Sequence, residues 1–144
     1  MGILSDKICL SDTGDLGHSP VVGQTVLVVD DDEAVRDAIA DVLLLDGYSV
    51  LTARDGDEAL RLLAGAPRPC VALIDLVMPR VDGWELVQSI VATPALRDVS
   101  IICTTAGRDP EPPGCNAVLR KPFDDSELAR AVRAAFASAP RDAA

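Results

Sequence analysis

The sequence predicts a doubly wound α/β domain built on a parallel sheet, and three observations carry that expectation. Short apolar, β-branched runs alternate with segments of helical period along the chain, the pattern of a sheet covered on both faces. Aspartates and glycines punctuate the changes of period. The polar residues with chemical potential fall at the carboxyl ends of the apolar runs, where open α/β sheets bind their ligands.

The first strand is TVLVV (25–29), ending in three consecutive aspartates. From Glu33 the period becomes helical, with Val35, Ile39, Val42 and Leu43 on one face and Asp46-Gly47 as the stop. Asp32 is read as the cap of this helix. YSVLTA (48–53) is the second strand, and DGDEALRLLAGAP (55–67) a short helix stopped by Gly65 and Pro67. CVALIDL (70–76) is the third strand, with a single carboxylate, Asp75, near its end. A turn through Met78-Pro79 leads to Asp82, which with Glu85 forms a capping box for a helix facing inward through Leu86, Val87, Ile90 and Val91. Trp84, at the start of that helix, is read as half-buried packing. VSIICTT (99–105) and NAVL (116–119) are the last two strands, and Asp124 with Glu127 caps a final helix to about Ala137.

Composition narrows the function. The 144 residues suit one domain, and with 3% aromatic residues its core is aliphatic. A formal net charge of −10 repels nucleic acid and anionic membrane, so a protein face is the expected partner. No apolar run reaches the roughly 20 residues of a membrane span, and the N-terminus lacks a leader pattern. The four cysteines (Cys9, Cys70, Cys103 and Cys115) lack metal-ligand spacing and read as structural thiols of a reducing cytoplasm. His18 is read as a solvated side chain. Residues 1–23 have no sustained period and read as an extension, 24–138 as the domain, and 139–144 as a fraying tail.

Asp30 and Asp31, Asp75, Thr105 and Lys121 thus converge on one rim of the sheet. Neighbouring carboxylates repel by about 1 kcal/mol in water and several-fold more near a protein surface, a penalty that a hard divalent cation such as Mg²⁺ removes. The cation, the Lys121 ammonium and the Thr105 hydroxyl would all attract a phosphoryl group, with Asp75 as the nucleophile.

The blocks VLVVDDDEAVR (26–36), ALIDLVMPRVDGWEL (72–86), TTAGRD (104–109) and VLRKPF (118–123) resemble bacterial response-regulator receiver domains over about residues 24–138. The resemblance implies a flavodoxin-like strand order 2-1-3-4-5 and a phosphoryl group taken by Asp75 from a histidine kinase or phosphotransfer protein. It also implies Mg²⁺ held by Asp30, Asp31, Asp75 and the Val77 carbonyl, with Thr105 and Lys121 on the acyl phosphate. Lys121 would precede a cis peptide bond to Pro122. A stand-alone cytoplasmic regulator, signalling to an unidentified downstream protein or relaying phosphate, is the expected function. The domain is not expected to be an enzyme beyond assisting its own phosphorylation and dephosphorylation.

The chain departs from the family in two places. The position three residues before the lysine, usually aromatic, is Val118. Only fifteen residues separate Thr105 from Lys121, with Pro110, Pro112, Pro113, Gly107 and Gly114 among them, so the family's fourth helix is expected to be shortened or absent. Val77 and Gly107 also flank the path of a hydrolytic water without being able to orient one, which predicts slow loss of phosphate. Two other readings are an interaction module that uses the same fold without phosphorylation, and an aspartyl-phosphate phosphohydrolase. The second lacks the usual general acid two residues past Asp75, where Val77 stands.

Overall fold

The computed structural model describes residues 23–77, 83–107, 110 and 112–138. Five strands alternate with four helices: β1 (Thr25–Val29), α1 (Glu33–Leu45), β2 (Ser49–Ala53), α2 (Gly56–Gly65), β3 (Cys70–Asp75), α3 (Gly83–Ala92), β4 (Ser100–Thr105), β5 (Ala117–Arg120) and α4 (Asp125–Ser138). A short 3₁₀ turn, Pro94–Leu96, leads from α3 toward β4. All strand pairs are parallel, in the order β2-β1-β3-β4-β5, so the expected doubly wound fold and strand order hold.

The central strands β1, β3 and β4 are buried at every position, which explains why they read as continuous apolar runs rather than alternating ones. Their side chains divide between two cores. On one face Leu27, Val29, Ala72, Ile74, Ile101 and Cys103 pack with Leu63 of α2 and Leu86, Val87 and Ile90 of α3. On the other, Val26, Val28, Val71, Leu73 and Ile102 pack with Ile39 and Leu43 of α1 and Leu128 and Val132 of α4. Tyr48 lies just before β2, buried against this second core, and stacks on Phe136 at 5.4 Å.

The helix starts follow local chemistry. The Asp32 carboxylate accepts from the Ala34 and Val35 N–H groups at the head of α1, and Asp55 accepts from Glu58 N–H at the head of α2. Asp124 and Glu127 exchange hydrogen bonds of 2.8 and 3.0 Å at the head of α4, a capping box. Gly47 closes α1 at φ +96°, a conformation open to glycine without strain. The peptide bond between Lys121 and Pro122 is cis, as is that between Arg68 and Pro69.

Between β4 and β5 the described residues contain no helix; a turn at Pro113-Gly114 carries the chain back. Gly114 takes φ +95° with its Cα close against Val91. Val91, expected on the inward face of α3, is instead half exposed. The Asp82–Glu85 capping box, the extension short of Gly23 (with Cys9 and His18) and the tail 139–144 lie outside the described residues. Trp84 is half-buried, as expected.

Candidate functional site

Parallel strands end together, so the residues following β1, β3, β4 and β5 meet at one rim. Asp30 follows β1 and is nearly inaccessible, with 2% of its surface exposed. Its N–H donates to the Ala53 carbonyl at the end of β2, and its own carbonyl accepts from Arg36 Nη1 at 2.8 Å. Its Oδ1 accepts from the Asp32 N–H at 2.9 Å. Asp31, next in sequence, is exposed. Asp75 closes β3 and is also buried, its Oδ1 accepting from the Val77 N–H at 3.1 Å.

Carboxylate oxygens of Asp30, Asp31 and Asp75 lie within 4.8 Å of one another. Lys121 comes from the far side of the sheet and sets its Nζ 3.6 Å from Asp75 Oδ2 and 3.8 Å from Asp30 Oδ2. Burial raises the Asp30 carboxyl above its ordinary range. The Asp32 N–H and Lys121 oppose that rise, and the Asp75 and Asp31 charges add to it. A buried acid pair bridged by one ammonium carries uncompensated negative charge, since among the described residues one cation is paired with a cluster of three carboxylates.

Thr105 ends β4, one residue beyond Thr104, the register partner of Asp75. It is buried, its carbonyl accepts from Lys121 N–H at 2.8 Å, and its hydroxyl oxygen accepts from Gly107 N–H at 3.3 Å. Val77 lies two residues past Asp75 with most of its surface exposed. The structure therefore gathers Asp30, Asp31, Asp75 and Lys121 directly. It sets Thr105 and Val77 on the chain segments alongside.

Three oxygen donors on strand ends, two of them buried and none accompanied by His or Cys, fit a small hard cation such as Mg²⁺. They suit a zinc site poorly, because no nitrogen or sulfur ligand joins them among the described residues.

Three residues at the rim have roles that the sequence alone did not assign. Arg36 pins the Asp30 carbonyl across one helical turn. Arg120 reaches across the rim to the Gly107 carbonyl at 2.6 Å. Gly83 stands so close to β3 that a Cβ there would fall 2.4 Å from the Asp75 carbonyl oxygen and 2.6 Å from Leu76 Cα. Its only trace in the sequence is the Asp-Gly turn.

The model of the response regulator receiver domain matches residues 26–133. Response regulator MprA of Mycobacterium tuberculosis H37Rv is 41% identical over 128 residues, covering 83% of this chain and 54% of that protein. MprA of Mycolicibacterium vanbaalenii is 42% identical over 117 residues, covering 76% of this chain and 48% of its own length. The chain thus spans about half the length of the curated relatives it matches. Among solved structures, the receiver domain of sensor histidine kinase PA1611 from Pseudomonas aeruginosa, with a magnesium ion coordinated in its active-site cleft, superposes with a TM-score of 0.73 at 31% identity. It covers 81% of this chain and 100% of that one. Chemotaxis response regulator CheY4 of Vibrio cholerae gives a TM-score of 0.70 at 30% identity, covering 78% and 98%. With matching strand order, acid cluster and family model, the chain belongs to the response-regulator receiver family, the phosphoacceptor modules of two-component signalling.

Proposed function

We propose that residues 24–138 form a receiver whose phosphoacceptor is Asp75, phosphorylated by a histidine kinase or a phosphotransfer protein. The observation that carries this reading is the Lys121 ammonium, within 3.8 Å of two buried carboxylates that share a rim with Asp31. Asp30, Asp31, Asp75 and the Val77 carbonyl would hold Mg²⁺. When bound, the ion supplies charge neutralisation to the acids and to the incoming phosphoryl oxygens.

An Asp75 carboxylate oxygen attacks the phosphorus of a phosphoimidazole. The new P–O bond forms as the P–N bond breaks, and its electron pair leaves on the imidazole nitrogen, which takes up a proton. Lys121 then exchanges its ion pair with Asp75 for one with a phosphoryl oxygen, and the Thr105 hydroxyl donates to another. Burial of Asp75 keeps bulk water from the acyl phosphate.

The phosphorylated receiver acts through protein–protein contacts or passes the phosphoryl group on, in the cytoplasm where its kinase presents phosphohistidine. The net charge of −10 supports a protein partner over nucleic acid or an anionic membrane. No helix among the described residues is long and apolar enough to cross a membrane.

The reading is tested by intact-mass spectrometry after incubation with acetyl phosphate and Mg²⁺, beside Asp75→Ala and a sample in EDTA. Gain of a single phosphoryl group that requires both Mg²⁺ and Asp75 supports it. Equal phosphorylation of Asp75→Ala would defeat it. Absence of any phosphoryl gain, from acetyl phosphate and from a phosphorylated kinase alike, would favour an interaction module that works without phosphate.

A further inference from the structure

The turn that follows β4 carries the Thr105 hydroxyl, yet no helix among the described residues frames it. Three hydrogen bonds hold it among those residues. Lys121 N–H fixes the Thr105 carbonyl at 2.8 Å, Gly107 N–H donates to Thr105 Oγ1 at 3.3 Å, and Arg120 Nη1 donates to the Gly107 carbonyl at 2.6 Å. Arg120 is the register partner of Thr105 across the β4–β5 pair, so its side chain starts beside the residue whose turn it clamps. The Gly107 N–H has a precise consequence for the hydroxyl. By occupying one lone pair of Oγ1 it turns the O–H away from Gly107 and leaves that proton available to donate. That orientation depends on Gly107 staying in place, and among the described residues the shortest bond holding Gly107 is the one from the guanidinium.

We propose that Arg120 is a positioning residue for phosphoryl transfer, holding Gly107 so that the Thr105 hydroxyl is oriented toward the phosphoryl group on Asp75. The inference rests on the Asp75 reading above. Arg120 is exposed and touches neither the acid cluster nor, by this account, the phosphoryl group; it acts through Thr105 alone. Its charge-assisted bond to a carbonyl is of the stronger kind, and it is the shortest of the three that hold the turn among the described residues.

The test is a set of phosphorylation rates with acetyl phosphate at saturating Mg²⁺, followed by intact mass, for the parent protein, Arg120→Ala, Arg120→Lys, Thr105→Ala and the double variant Thr105→Ala/Arg120→Ala. Loss of the clamp should slow Arg120→Ala about fivefold, the scale of one hydrogen bond. Arg120→Lys, which keeps a donor and the charge, should stay within about twofold of the parent. The double variant should match Thr105→Ala, since Arg120 has nothing to position once the hydroxyl is gone. A general electrostatic pull on the phosphodonor, or a loss of fold, would instead slow Thr105→Ala further by the same factor, and that additivity would overturn the proposal. So would an Arg120→Ala rate equal to the parent's, or an Arg120→Lys rate as slow as that of Arg120→Ala. If the parent itself takes up no phosphoryl group, the Asp75 reading fails first. A parent that is phosphorylated beside an unaffected Arg120→Ala removes the positioning role alone.

Discussion

Replacing Asp30 by asparagine should stabilise the metal-free protein while removing its response to Mg²⁺. At an effective dielectric constant of about 20, a like charge no farther than 4.8 Å costs Asp30 at least about 3.5 kcal/mol, and Lys121 at 3.8 Å returns about 4.4 kcal/mol. These two terms largely offset each other, and exposed Asp31 adds a smaller repulsion. Burial therefore decides the sign, and burial disfavours the charge: Asp30 is 2% exposed. Asparagine keeps an acceptor for the Asp32 N–H and has no charge to desolvate, so Asp30→Asn should gain roughly 1 kcal/mol in EDTA. Mg²⁺ reverses the order. At about ten times its Kd the ion stabilises the parent by roughly 1.4 kcal/mol, a gain the variant forfeits with its ligand. The assay is urea unfolding followed through Trp84, with EDTA and with Mg²⁺. A variant less stable than the parent in EDTA would refute the reasoning, as would equal stabilisation of both proteins by Mg²⁺.

Gly83→Ala should cost on the order of 1–3 kcal/mol, because its Cβ would overlap the Asp75 carbonyl oxygen and Leu76 Cα, both backbone atoms; thermal unfolding measures the loss, and an unchanged midpoint would show that α3 can shift freely. Burial pushes the Cys70 thiol up to about 11. Its stability contribution is therefore complete below pH 9 and lost as the pH rises toward 11, by a few kcal/mol at most. The base-side fall in stability should be shallower in Cys70→Ala, and parallel curves for the two proteins would disprove the linkage. Val77→Asn combined with Gly107→Glu should speed loss of the acyl phosphate several-fold, because each side chain can orient the attacking water that valine and glycine cannot. Decay of the phosphorylated mass after the donor is removed reports the rate, and an unchanged lifetime would show that water access is not limiting.

Much of the fold was legible because its signals are local. Three strands buried on both faces announce themselves as apolar runs, and Asp32, Asp55, Asp124 and Glu127 mark helix starts through hydrogen bonds spanning two or three residues. The acids and the lysine were legible for a related reason: in a parallel sheet, the position after each strand lands at one rim whatever the loops do. The parts that were hidden depend on contacts between distant segments. Arg36 and Arg120 look like ordinary surface cations until the fold sets a carbonyl before each guanidinium. Gly83 looks like turn chemistry until β3 passes 2.4 Å from where its Cβ would be. Helical period put Val91 on the inward face of α3, but half its surface is exposed, which periodicity alone cannot tell. The shortened segment was itself readable, since fifteen residues with three prolines leave no room for a helix of ordinary length.

Phosphoryl transfer by this mechanism requires that one carboxylate, Asp75, carries the phosphoryl group. The most direct measurement is to treat the phosphorylated protein with borohydride, which reduces an aspartyl phosphate to homoserine, and to map the altered residue by peptide mass spectrometry. Homoserine should appear at position 75 and at no other acid of the rim, with the conversion lost when Mg²⁺ is withheld during phosphorylation. Homoserine at position 30 or 31, or a phosphoprotein that borohydride leaves unchanged, would contradict it.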